Sequence, residues 1–226
     1  MKIFTKVLYQ CTIALVVSIT FISCNKKEEE EVKNNNKQEP QISFVVVSPT
    51  VKIKFTGTGD VMIYWGDQKT LGKITMSDNL HEYSHDYESD PEHTVRIVGN
   101  ITTFYCNSTK VKSIDVSKNK ILTHLYCYEN HIKNLDLSGN LEIIELNICS
   151  NSLKSLDVSK NKKLKQLFCH NNYLDSTSLN ELFQSLPDRK SSEKGKIVIW
   201  NNPGFKDCDI KIAENKNWEV VGNKSL

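Results

Sequence analysis

The residues best placed to do chemistry are His81-Glu82-Tyr83-Ser84-His85, which spell H-E-x-x-H. On a helix, positions i and i+4 lie one above the other, so both imidazoles reach one zinc while the carboxylate activates its bound water. This stretch has the wrong period for that. His81, Tyr83, His85 and Tyr87 alternate with polar residues, the rhythm of a strand. Four strand rises of ~3.3 Å would hold the two histidines ~13 Å apart, too far to share a metal through bonds of ~2.0 Å. No later stretch supplies a third ligand on a second helix. A zinc-dependent hydrolase therefore rests on this motif alone, and the chain is read as non-enzymatic, with no metal and no cofactor.

Two further sets of reactive side chains recur at a fixed interval: Cys106, Cys127 and Cys169, and the carboxylates Asp115, Asp136 and Asp157. Both belong to a pattern that organises Ile101 to Leu174 and returns every 21 residues. L-x-x-L-x-C/I appears at Ile101 to Cys106, Leu122 to Cys127, Ile143 to Ile148 and Leu164 to Cys169. A second half recurs at Val111 to Asn119, Ile132 to Asn140 and Leu153 to Asn161. Such periodicity is the signature of a solenoid, in which each repeat is one coil that buries its apolar face against its neighbours.

These motifs resemble the leucine-rich repeat family, in particular its 21-residue class with a nested ten- and eleven-residue rhythm. The resemblance implies stacked coils, each contributing a short parallel strand. Period two then points Phe104, Leu125, Leu146 and Leu167 inward, together with Cys106, Cys127, Ile148 and Cys169. Ile148 shares the cysteine column, and five cysteines, an odd number, follow Cys24, so Cys106, Cys127 and Cys169 are expected to line the core. Asn130, Asn151 and Asn172 continue an inward column that Thr109 begins. Buried amides must be bonded, and the resemblance implies that they satisfy backbone groups at the turn after each strand. The stacked Asp115, Asp136 and Asp157 could hold calcium at ~2.4 Å. Ser117, Ser138 and Ser159 follow them at a constant offset, with Asn119, Asn140 and Asn161, so a turn-forming role is expected instead.

The chain has 226 residues, 38% hydrophobic and 25% charged, and a formal charge of +2. Lys2 and Lys6 lie in a segment expected to be removed; taking those two from the 29 basic residues leaves 27 against 27 acidic ones. That balance removes the electrostatic argument for nucleic acid. Residues 1–23 read as a signal peptide, because the apolar stretch Val7 to Ile22 is interrupted by Gln10 and Thr12 and is short for the ~20 residues of a spanning helix. Phe21-Ile22-Ser23-Cys24 resembles the lipobox of bacterial lipoproteins, with Phe21 where Leu is usual, which implies that Cys24 is acylated and anchors the chain to a membrane. Residues 24–40 form a polar tether. Its run Glu28 to Glu31 resembles the surface-export signals of some Gram-negative lipoproteins, implying an outer-membrane lipoprotein exposed at the cell surface.

Residues 41–99 read as a small β-sandwich, with strands at Ile42 to Val47, Val51 to Phe55, Val61 to Trp65 and Thr94 to Val98 separated by Gly57, Gly59, Gly66 and Pro91. Tyr64-Trp65-Gly66-Asp67, Ser84-His85-Asp86-Tyr87 and His93 to Ile97 resemble PKD-type (polycystic kidney disease) domains of bacterial surface proteins, which implies structural roles for these residues. Residues 100–174 are the repeats. Residues 175–226 read as a small α/β cap, with a helix through Leu179, Leu182, Phe183 and Leu186 started by a capping box of Ser178 and Glu181, a strand at Ile197 to Trp200 and another at Trp218 to Val221. The expected fold class is mainly β with few helices: a leucine-rich-repeat solenoid with an N-terminal β-sandwich and an α/β C-terminal cap.

Outward residues on the repeat strands fall into columns unusually rich in rings: Tyr105, Tyr126 and Phe168 in one, His124 in a second, Tyr128 and His170 in a third. Rings on a rigid strand face lose little entropy on binding and supply large contact area. The concave face carrying Tyr105, His124, Tyr126, Tyr128, Phe168 and His170 is therefore expected to bind a protein ligand or, as the alternative, a glycan.

Overall fold

Period-two alternation builds the first strands. In β1 (Gln41–Val46), Ile42, Phe44 and Val46 are buried and the residues between them are not. β2 (Thr50–Tyr64) is one strand of 15 residues where the sequence suggests two. It is followed by β3 (Thr70–Thr75), β4 (His81–Asp86) and β5 (His93–Tyr105). The computed structural model describes residues 41–77, 79–88 and 92–222; the expected signal segment, Cys24 and the tether lie outside them.

Glycine is used for close crossing in β2 and β5. A Cβ on Gly57 would collide with the Asn100 carbonyl oxygen, and one on Gly99, whose φ is +143°, would lie 2.7 Å from a Val61 methyl. Both strands bend there, and their pairing shifts register between Thr56 and Gly57 and between Thr58 and Met62. Each half of β2 pairs with the opposite half of β5. The first half of β2 also carries β4, and the second half carries β3. The first half of β5 carries β1, which in turn pairs with β6 (Val111–Asp115). The bends fold these halves over one another, so that Phe44 of β1 meets Phe104 at the far end of β5 with ring centroids 5.9 Å apart.

β5 runs without a break through Gly99, where the sequence reading places a boundary, and its last residues are the first strand of the repeat. From there the sheet is parallel. Thr103, Phe104 and Tyr105 pair with His124, Leu125 and Tyr126 of β7 (His124–Tyr126). These pair with β8 (Glu145–Asn147), and β8 with β9 (Gln166–Phe168), each in the 21-residue register. The inward residues Phe104, Leu125, Leu146 and Leu167 are fully buried, as are Cys106, Cys127, Ile148 and Cys169. Cys106 and Cys127 are free thiols with sulfurs 3.0 Å apart. Burial, with the neighbouring Cys106 adding to it, pushes the Cys127 thiol well above its ordinary pKa.

Two ladders of asparagine join the coils. Asn151 Nδ2 donates to the Cys127 and Ile148 carbonyls at 2.8 and 3.2 Å, and its Oδ1 accepts from the Ile132 amide at 2.9 Å. Asn130 and Asn172 repeat the arrangement. The residue before each, Glu129, Ser150 or Asn171, has φ between +53° and +57°, which turns the chain out of the strand. The second ladder, Asn119, Asn140 and Asn161, is also buried, although the sequence suggests only turns: Asn140 Nδ2 donates to Val116 O and Asn119 O at 2.8 and 2.7 Å. Asp115, Asp136 and Asp157 each accept the amide of the serine two residues on, at 2.7 to 2.8 Å, so the column consists of consecutive side-chain turns.

The repeat does not stop at Leu174. β10 (Gly195–Val198) continues the parallel ladder against β9, and Asn202 occupies the next rung, donating to Cys169 O at 3.0 Å and accepting from Leu174 N at 3.1 Å. The return path of this coil is longer because it holds α1 (Ser176–Ser185). Asp175, not Ser178, caps that helix, its carboxylate accepting the Ser178 amide at 2.8 Å; the side-chain oxygen must precede the amide it caps. After α2 (Lys211–Glu214), β11 (Trp218–Val221) ends the sheet, and Trp218 is fully buried. Among the described residues the protein is mainly β with two helices.

Candidate functional site

Every site residue expected from the repeat falls on one face of the parallel sheet. The register places Tyr105, Tyr126, Asn147 and Phe168 in one row and Thr103, His124, Glu145 and Gln166 in the next. Amide bonds from Ser108 to Tyr128 O, Glu129 to Cys149 O, Ser150 to His170 O and Asn171 to Trp200 O align Tyr128, Cys149, His170 and Trp200 in a third. Tyr105, His124, Tyr126, Tyr128, Phe168 and His170 are half-buried rather than fully exposed. Cys149 is buried in its row, and burial raises its thiol to about 11.

Neighbouring rungs ~4.8 Å apart bring side chains of one row into contact. Tyr105 and Tyr126 stack with centroids 4.3 Å apart and planes 5° from parallel, and His124 lies 6.4 Å from Tyr126. Burial, then the Glu145 carboxylate, pushes the Tyr126 phenol well above its ordinary pKa, so it stays a neutral hydroxyl. His170 stacks on Trp200 at 4.2 Å, and burial lowers its pKa, which keeps the imidazole neutral near pH 7. Rings stacked in this way cover one another's faces and present edges and hydroxyls.

The face is longer than the repeat. The Tyr105 row continues through Lys54 of β2 to Glu82 of β4, which form an ion pair at 2.7 Å. At the other end it continues through Val198 to Val221. Trp200 and the Lys54–Glu82 pair were not among the residues singled out from sequence. Ile197-Val198-Ile199-Trp200-Asn201-Asn202 does align with Leu167-Phe168-Cys169-His170-Asn171-Asn172, which was the available signal for Trp200. Lys54 and Glu82 had none, because strand pairing alone brings them into the row.

H-E-x-x-H lies on β4, with His81, Tyr83 and His85 half-buried and Glu82 on the opposite, exposed side. Ser77 Oγ is 2.8 Å from His81 Nε2, whereas His85 Nε2 is 2.8 Å from Asp67 Oδ2 and its ring stacks on Trp65 at 4.9 Å. The two imidazoles thus serve different neighbours, and the carboxylate points away from both.

Two clefts flank the ends of the strands. After their C-terminal ends, Asn171, Asn201, Tyr173 and Phe205 line a cleft of about 390 Å³, in which Tyr173 is 60% exposed and Asn201 donates to Asn171 Oδ1 at 2.5 Å. Before their N-terminal ends lies a second cleft of about 650 Å³, lined by Lys162, Lys163, Lys165 and Arg189 together with Asp188 and Glu193.

No protein-family model and no curated protein matches the chain. Among solved structures, 54% of the chain is similar to a structure described as the functional domain of InlJ from Listeria monocytogenes, which includes a cysteine ladder, at 25% identity and a TM-score of 0.42. The match spans 25% of that chain.

Proposed function

We propose that this chain is a non-enzymatic, lipid-anchored cell-surface protein whose leucine-rich solenoid binds a protein partner through the outward face of its parallel sheet. The observation that carries the reading is the unbroken row Glu82, Lys54, Tyr105, Tyr126, Asn147, Phe168, which joins an ion pair to half-buried rings on hydrogen-bonded strands. Rigid rings with polar edges are the side chains that dominate protein interfaces. The solenoid assignment is supported by the 21-residue register and the asparagine ladder; the PKD-like and lipoprotein assignments rest on their sequence resemblances.

The test combines Tyr126→Ala with Phe168→Ala and probes the purified protein against an array of surface proteins. Binding to any partner found with the wild type should fall at least tenfold. Because these rings are half-buried and stacked, the pair should also lower stability, by ~1–2 kcal/mol, which chemical denaturation separates from lost binding. Binding that survives moves the site off this face. A glycan is the second reading, favoured by the amide-lined cleft where Tyr173 offers an exposed ring; on a glycan array Tyr173→Ala, not the Tyr126 and Phe168 pair, should then abolish the signal. For the anchor, Cys24→Ala should release the protein from the membrane fraction. Retention of that variant under high salt would point to an uncleaved apolar segment instead.

A further inference from the structure

Arg189 is 6% exposed and forms no ion pair with a carboxylate among the described residues. Its Nε donates to Glu193 O at 2.9 Å and its Nη1 to Leu164 O at 3.2 Å. Two of five guanidinium donors are thereby used, on neutral carbonyls; the Trp218 ring centroid lies 6.0 Å from the guanidinium carbon, and no carboxylate pairs with the charge among the described residues. A buried charge without a counter-charge is costly. The cleft it lines is edged by Lys162, Lys163 and Lys165, all exposed, and also by the carboxylates of Asp188 and Glu193, so four cationic side chains face two acidic ones.

The charges around this cleft are mostly of one sign. Lys163 pairs with Glu142 at 2.5 Å, whereas no ion pair is formed by Lys162 or Lys165 among the described residues. Lys216, whose carbonyl accepts the Arg189 amide at 2.9 Å, donates to Leu186 O at 2.8 Å and to Gln184 O. Its ammonium is held below its ordinary pKa by burial and then by the charge of Lys162, with Asp188 opposing. Asp188 itself turns to Lys190, accepting that residue's amide at 2.9 Å. Glu193 is exposed and enters no ion pair among the described residues.

From this geometry we infer that the Arg189 cleft is an oxyanion-binding site that takes a sulfate or phosphate ester group borne by a soluble polymer such as an acidic glycan. The guanidinium forms a recessed floor whose forked donors suit two oxygens of such a group, and the lysines approach from the rim as mobile point charges. Cations converging from several directions suit a tetrahedral ester better than a single carboxylate. A membrane headgroup fits less well, since Ile144 is the one apolar residue lining the cleft. The site lies at the N-terminal ends of the strands, apart from the outward ring face, so it stands whether or not that face binds protein.

The test titrates the full soluble domain with sodium sulfate and sodium phosphate against sodium chloride at matched ionic strength, following Arg and Lys side-chain NMR signals. Sulfate or phosphate should shift Arg189 saturably where chloride does not. Lys162→Gln with Lys165→Gln, both exposed and so neutral to folding, should weaken the interaction about tenfold or more, while Lys133→Gln with Lys154→Gln should leave it unchanged. The same ordering should hold for retention on a sulfated polysaccharide. An equal response to chloride, or equal loss in both double variants, would reduce the site to general charge screening and overturn the inference. Binding to anionic phosphatidylglycerol vesicles without binding to sulfate, phosphate or the polysaccharide would overturn it in favour of a membrane surface.

Discussion

Asn151 holds two coils together with one side chain. Its carbonyl oxygen takes the buried Ile132 amide, and its amino group bridges the Cys127 and Ile148 carbonyls. An alanine there leaves the Ile132 N–H without a partner in a region that water does not reach. A buried donor stripped in this way costs about 1–3 kcal/mol, and the two carbonyls each lose a bond as well. Asn151→Ala should therefore lower unfolding free energy by ~3 kcal/mol, read by urea denaturation with an unchanged m-value. The exposed Asn134, which no ladder uses, is the control, and its alanine variant should be nearly neutral. Loss at both positions alike would deny the ladder its special role.

Strands β2 and β5 bend and change partners at glycines. At Gly99 the φ of +143° excludes ordinary side chains, and a Cβ would press on Val61 and the Asp60 carbonyl at 2.7 and 2.8 Å. Gly99→Ala should cost ~2 kcal/mol or more from backbone strain before any clash is counted. Gly72 lies on exposed β3 with nothing within 4 Å of an added Cβ. Gly72→Ala is therefore expected to shift the thermal midpoint little. Similar midpoints for the two variants would mean that the bend at Gly99 relaxes freely and does not define the fold.

Across the whole molecule, residues Pro40–Leu226 form one compact unit, with buried side chains from β1 through Trp218 in a single cluster. β1 and β2 cover the first coil, as the Phe44 to Phe104 contact illustrates, while Trp218 and α1 cover the last. A solenoid needs both ends closed, because an open coil exposes its apolar interior. A fragment starting at Asn100 should therefore not fold, and residues 40–226 should unfold in one transition by circular dichroism and by tryptophan fluorescence alike. Separate transitions by the two probes would make the N-terminal strands an independent domain.

Local pattern sufficed for whatever depends on spacing. The 21-residue period set the inward and outward columns, and hence placed Tyr105, His124, Tyr126, Tyr128, Phe168 and His170 on one face, because side-chain direction in a strand follows period two regardless of partners. It also marked His81 to His85 as strand. Tertiary structure decided what depends on contacts between distant segments. Gly57 and Gly99 read locally as strand ends, yet each is the place where one strand crosses another too closely for a Cβ. Asn202 and Trp200 extend the coils by one because the ladder tolerates the long return through α1 so long as the strand register is kept. Arg189 stands among the polar neighbours Asp188, Lys190 and Ser191 in the chain, which gives no sign of burial; packing against Leu164, Glu193 and Trp218 buries it and leaves it without a paired carboxylate. Periodicity is a local property of the chain, whereas burial and pairing exist only once the coils have stacked.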